Sequence, residues 1–144
     1  LNDAAANDGW TLVTQQTAAW NAEKAQQIVQ SVIDSGESFN VIYAENDDMA
    51  KGAVAALDKA NIPHGVGKDV IVMGFDCNKW ALEELLNQNW NYDGQCNPFQ
   101  ASYIDDIIKK IEAGETISEK TIIMDEKGFD ASTITQADVD QYGI

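Results

Sequence analysis

Residues 39–76 read FNVIYAENDDMAKGAVAALDKANIPHGVGKDVIVMGFD, and this stretch decides the fold. An apolar run through Val41, Ile42 and Tyr43 ends in the polar cluster Asn46-Asp47-Asp48. Met49, Ala53, Val54 and Leu57 then recur at helical spacing, and a second apolar run closes in Gly74-Phe75-Asp76. That order is one strand-helix-strand unit of a parallel sheet. Parallel strands joined by a helix end on the same edge, and ligands of open α/β sheets bind in the crevice outside the carboxyl ends of the strands. Asn46, Asp47 and Asp76 are therefore expected together on one rim, which is the candidate site.

Toward the N-terminus, residues 1–9 (LNDAAANDG) read as the tail of a helix closed by Gly9. Residues 10–14 (WTLVT) form a β-rich run, and residues 15–20 the polar loop at its end. Asn21 is placed to cap a helix whose Ala25, Ile28, Val29, Val32 and Ile33 share one face, with Gly36 as its stop. Beyond the central unit, Pro63, Gly65 and Gly67 make the loop into the strand of residues 69–73. Trp80, Leu82, Leu85 and Leu86 mark a short helix, and residues 92–96 a weak strand. Pro98 opens a helix carrying Ile104, Ile107, Ile108 and Ile111 up to Gly114. Residues 121–124 (TIIM) read as one more strand, followed by a polar end with helical tendency over 137–142. Strand starts near residues 10, 40 and 70, with helices between, have the rhythm of a doubly wound parallel α/β sheet whose right-handed crossovers stack helices on both faces, a three-layer αβα lobe.

A chain of 144 residues has the size of one domain. It holds 24 acidic against 9 basic side chains, a net charge of −15, which repels phosphate backbones and anionic membrane surfaces, so no nucleic-acid partner is expected. No apolar run approaches the roughly 20 residues that span a bilayer. Leu1 stands where a starting Met would, so a leader upstream is not excluded. Cys77 and Cys96 fit one disulfide or two thiols, there is no CxxC pair, and a single histidine, His64, argues against a zinc site. No metal or cofactor is expected. Gly65-Val66-Gly67-Lys68 lacks phosphate-loop spacing and precedes a strand, and no GxSxG-type nucleophile motif is present, so the chain does not read as an enzyme.

The ordered set of an apolar strand, Asn46-Asp47-Asp48-Met49-Ala50 with Gly52-Ala53 behind it, and Val72-Met73-Gly74-Phe75-Asp76 resembles the sugar-binding proteins of type I periplasmic-binding fold that serve ABC transporters. The loop of residues 15–21 looks like the family segment in which an aromatic ring stacks on the bound sugar. That resemblance gives Trp20 the stacking role, for which a broad apolar indole face is suited. It makes Asn46 the amide that bonds sugar hydroxyls and Asp76 the carboxylate that accepts from two adjacent hydroxyls. Read without it, Trp20 is a packing aromatic, Asn46 a turn residue, and Asp76 an N-cap for the helix that follows. Phe75 is expected beneath the site. Cys96 stands where ribose-type members have a hinge Gln, as in galactofuranose-type branches, and Gln95 beside it points the other way.

The implied ligand is a pentose or hexose, in furanose form where the galactofuranose branch is the guide, and the implied partner is a membrane permease, in the periplasm or on an extracellular lipoprotein. Family members carry an N-terminal lobe, and an Arg that contacts sugar, ahead of the point where Leu1 aligns. Residues 1–96 then correspond to a C-terminal lobe and residues 97–144 to crossover and return elements, with residues 120–131 resembling the late strand and return. The isoleucine stripe of residues 99–113 is expected either to repack on the remaining sheet or to be covered by the missing lobe or a second copy. The effector domain of a LacI-type repressor uses the same positions and is the alternative. A receiver-like domain holding Mg²⁺ on Asp47, Asp48 and Asp76 fits less well, because its acidic pair belongs on the first strand.

Overall fold

A computed structural model describes residues 7–144. The expected helix tail lies mostly outside the described residues; Asn7 and Asp8 are helical, and Gly9 follows at a φ of 74°. The described elements are α1 (Ala22–Ser35), β1 (Val41–Tyr43), α2 (Asp47–Lys59), β2 (Ile71–Asp76), α3 (Lys79–Leu86), β3 (Tyr92–Gln95), α4 (Ala101–Glu112), β4 (Gly128–Asp130) and α5 (Gln136–Tyr142). They form one sheet in the order β1-β2-β3-β4, with the first three strands parallel and β4 antiparallel to β3.

Helices α1, α2 and α5 start on side-chain caps. Asn21 accepts from the Lys24 N–H to start α1, and Gly36, at a φ of 75°, closes it. Asn46 caps α2 in the same way through Met49 N, and Thr135 and Asp138 make a reciprocal capping box on α5.

Residues paired across parallel strands share a face. Val72 and Gly74 of β2 and Asp93 of β3 point to the side covered by α2 and α3, where Leu57, Leu82, Leu85, Trp90 and Val139 are fully or almost fully buried. The opposite face bears Tyr43, Ile71, Met73, Phe75 and Tyr92, and Tyr43 and Ile71 are each 41% exposed. The doubly wound parallel α/β class expected from the sequence is what is found, with one of its helix layers formed by the described residues. The polar end of the chain folds back onto this body: Phe129 of β4 is buried against Tyr142, with ring centroids 5.3 Å apart.

Three local expectations fail, each because pattern alone does not supply a neighbour. Residues 10–14 form no strand, and Trp10 and Leu12 are 55% and 43% exposed. Residues 121–124 are irregular as well, with Ile123 87% exposed, and the late strand falls instead at Gly128–Asp130, where β3 offers an edge. A β-rich run becomes a strand only where another strand takes its hydrogen bonds. The third is one branch of the expectation for the α4 stripe, repacking on the sheet, which leaves cover by another chain. The helix forms as expected but does not repack on the sheet: no residue of it is buried, and Phe99, Ile104, Ile108 and Ile111 are between 48% and 69% exposed.

Two stability outcomes follow. A Cβ at Gly52 would fall onto the carbonyl of Ala22, because α1 and α2 cross at that point. Replacing a helical glycine with alanine normally gains about 1 kcal/mol. Here Gly52→Ala should instead lose about 2 kcal/mol through overpacking, measured by urea denaturation. Ile108→Ser, at a half-exposed position on a helix with no buried residue, should leave the same midpoint unchanged to within roughly 0.5 kcal/mol.

Candidate functional site

The carboxyl ends of β1 and β2 lie side by side, since Tyr43 pairs with Met73 and the Ala44 N–H donates to the Met73 carbonyl at 3.1 Å. Asn46 follows one strand and Asp76 ends the other. The N-terminal turn of α1 packs on α2 at Gly52, and Trp20 immediately precedes that turn's cap, Asn21. Asn46 and Asp76 therefore stand at neighbouring strand ends, and Trp20 precedes the helix that packs on α2.

Their local states differ. Trp20 is 67% exposed and adopts a left-handed φ of 59°, so it is not a core aromatic. Asn46 is buried, and its Oδ1 accepts from Met49 N at 2.9 Å. The amide thus caps α2 with its oxygen, and among the described residues its nitrogen donates to no protein group, which leaves donors for a ligand. Asp76 caps no helix: Asn78 holds the N-cap position of α3 and makes no side-chain cap bond. Asp76 is half-buried at a φ of 125°, a conformation L residues rarely adopt, and Cys77 follows at 61°. Burial first, and then the Asp48 charge, raises the Asp76 pKa above the ordinary carboxylate value.

Asp47 is the residue that departs most from its expected place. It is not an accessible rim group but fully buried, and its Oδ2 accepts from the Asn78 backbone N–H at 2.8 Å and from Asn78 Nδ2 at 3.1 Å. It straps the start of α2 to the turn after β2. The chain end straps the same turn from the other side, because Ile144 N donates to the Cys77 carbonyl at 3.1 Å and Lys79 N to the Ile144 carbonyl at 3.0 Å. The left-handed backbone at Asp76 and Cys77 is held by these bonds.

Phe75 points to the other face, between Tyr43 and Tyr92 with centroid separations of 5.2 Å and 6.4 Å, and lies over Gly94. Cys96 is exposed and Cys77 buried, and both are free thiols, so no disulfide joins them. Gln95 accepts from the Lys127 N–H at 3.2 Å and is engaged with the return segment. Among the described residues no group of three or more His, Cys, Asp or Glu side chains is placed to hold a metal ion, which gives the Mg²⁺-binding receiver alternative no support.

Asp93 was not legible as a site residue. A lone aspartate in a weak strand reads as solvent-facing, yet Asp93 is fully buried beside Asp47. Burial raises the pKa of both carboxyls, the Asp47 charge raises that of Asp93 further, and burial followed by the Asp93 charge raises the Cys77 thiol. Only the cross-strand register, which sets Asp93 opposite Gly74, brings it there.

Set against known proteins, residues 2–114 match the periplasmic binding protein domain. The chain is 30% identical over 128 residues to the fructose import binding protein of Bifidobacterium longum, covering 88% of this chain and 38% of that one. A solved structure from Mycobacterium smegmatis in complex with β-D-fucofuranose is 26% identical, with a TM-score of 0.78 over 97% of this chain and 43% of the other. The periplasmic binding component of an arabinose ABC transporter from Shewanella has the same fold, with a TM-score of 0.86 at 22% identity over 98% of this chain and 47% of its own length. The curated relative is named for binding and import, in line with a chain that is not an enzyme. A strand-helix-strand rim with these residues at its edge, matched over most of its length, makes the chain a member of the periplasmic binding protein domain family.

Proposed function

We propose that this chain supplies one jaw of a monosaccharide cleft in the solute-binding component of an ABC-type sugar importer. The observation that carries the reading is Asp76: a half-buried carboxylate with no hydrogen-bond or ion-pair partner among the described residues, on a left-handed backbone, at the edge where the Asn46 amide nitrogen likewise has none among them. A carboxylate and an amide donor at one strand edge suit a pair of sugar hydroxyls, and the exposed indole of Trp20 suits the apolar face of a sugar ring. Phe75 backs the turn that carries Asp76, and Cys96 stands at the crossover. A pentose or hexose is the ligand class, and the β-D-fucofuranose bound to the Mycobacterium smegmatis protein favours testing furanose forms.

The chain spans 38% of the Bifidobacterium longum relative, and the second jaw belongs to the remainder. Residues 1–96 then form the C-terminal lobe and residues 97–144 the crossover and return. The exposed isoleucine stripe of α4 is the seat of the N-terminal lobe, with a second copy of this chain as the other occupant. Two jaws closing on sugar exclude water and strengthen the hydroxyl bonds, and the closed form is what a permease would receive, in the periplasm or from a membrane-anchored lipoprotein.

Half a cleft should bind weakly. Titrating the isotope-labelled chain with D-ribose, D-fructose, L-arabinose and D-galactose should give a dissociation constant of about 1 mM or weaker for at least one sugar, with NMR shifts at Trp20, Asn46 and Asp76. Asp76→Ala should abolish those shifts, and Trp20→Ala should weaken binding roughly threefold to tenfold while leaving the fold intact. Shifts for no sugar, or shifts unchanged in Asp76→Ala, would retire the carbohydrate reading.

A further inference from the structure

Among the described residues three buried side-chain oxygens lack a partner: Gln30 Oε1 on α1, and Asp47 Oδ1 and Asp93 Oδ2 in the core. The last two belong to neighbouring side chains. Asp93 pairs in register with Gly74, so both face the same side of the sheet, and a Cβ on Gly74 would come within 2.6 Å of Asp47 Oδ1. The space that Gly74 leaves empty holds the inner oxygen of Asp47 and the edge of the Trp90 ring, on the face of the sheet that Asp93 shares. The outer oxygens of the two carboxyls are already engaged: Asp47 Oδ2 accepts twice from Asn78, and Asp93 Oδ1 faces the Cys77 thiol at 3.9 Å. Two ionised carboxylates facing each other without water or a cation would be strongly disfavoured. One proton on Asp93 Oδ2, donated to Asp47 Oδ1, satisfies both orphaned atoms at once.

We propose that Asp47 and Asp93 hold a single proton between them, and that Asp93, through this proton, is a positioning residue for the Asp76–Asn78 turn. The chain of contacts is short. The Asp93 proton holds the inner oxygen of Asp47, the outer oxygen of Asp47 holds Asn78, and Asn78 ends the left-handed pair Asp76-Cys77. With the proton present, Asp47 keeps its negative charge in the first turn of α2, where the helix dipole favours it. With the proton gone, two buried charges repel and the strap on Asn78 loosens.

The titratable groups that act with the pair are acidic: Asp76 at the end of β2, whose charge raises both carboxyls, and the Cys77 thiol in the turn, which the pair raises; Asp48 of α2 acts on Asp76 and not on the pair. No basic side chain is among the causes of either shift; the bonds from Asn78 lower Asp47 and backbone bonding at Cys77 lowers Asp93, in each case against a larger effect of burial. Burial and the Asp47 charge both push Asp93 upward from the ordinary carboxylate range, the direction the orphaned oxygens require.

The sign of the pH effect follows. Between the ordinary carboxylate range and the raised value of Asp93, the folded chain binds a proton that the unfolded chain has released. Stability therefore falls as pH rises through that window and levels off once Asp93 has ionised. The importance of the turn for sugar rests on the carbohydrate reading above; the proton itself does not.

The test follows the Asp carboxyl carbons of the 144-residue chain by ¹³C NMR, with thermal unfolding in parallel. Asp93 should stay protonated at neutral pH and ionise at alkaline pH, with the Asn78 amide resonance moving at the same midpoint. Asp93→Asn offers a permanent N–H to Asp47. It should remove more than about half of the stability lost between about pH 5 and about pH 9. Both carboxyls ionised at neutral pH in the parent chain, or an Asn78 resonance indifferent to the titration, would overturn the proposal, and neither observation depends on a variant folding. An undiminished pH slope in Asp93→Asn would overturn it too. Sugar titrations with D-ribose and D-fructose at both pH values separate the readings: binding at neither pH counts against the carbohydrate site, while the carboxyl titration decides the shared proton.

Discussion

Everything at the candidate site depends on one carboxylate, that of Asp47, reaching from the first turn of α2 to the backbone of Asn78. The bond joins the exit of β1 to the exit of β2, the two corners that carry Asn46 and Asp76. A charge-assisted bond to a backbone N–H inside a dry core is among the stronger polar contacts a protein makes, and leaving it unmade would strand a buried donor. It helps hold Asp76 and Cys77 in left-handed conformations that cost of order 1 kcal/mol each. Strain of this kind persists only where surrounding bonds over-determine it, and here Asp47 acts from one side and the Ile144 backbone from the other.

Close approach is the second theme. The Gly52 site lets α1 cross α2 with backbone against side-chain-free backbone, and Gly74 leaves room for the Asp47 carboxyl and the Trp90 ring. In both cases the missing Cβ serves a neighbour rather than the glycine's own torsion angles. The polar pocket so formed sits under the rim, not on it.

The distribution of apolar surface is equally informative. One face of the sheet is closed by α2 and α3, while the other shows a row of rings, Tyr43, Phe75 and Tyr92, and no residue of α4 is buried. Water-exposed apolar area on this scale marks surfaces made for contact. The match to the Bifidobacterium longum relative covers 38% of that protein's length.

The amino-acid sequence by itself determined the strand-helix-strand unit, the caps at Asn21 and Asn46, the stop at Gly36 and the class of the fold, because periodicity and capping are local and leave their mark on neighbouring residues. The ordered motif around Asn46 and Asp76 was also enough to point to the family. Only the tertiary structure decided that residues 10–14 and 121–124 are not strands, since strand formation needs an edge that no local pattern can announce. It also decided that Asp47 is buried, that Asp76 caps nothing, and that Asp93 lies beside Asp47. Those facts come from register: which residue of β3 stands opposite Gly74 is set by how strands pair across some twenty residues of intervening chain, and burial is a property of that pairing rather than of the side chain.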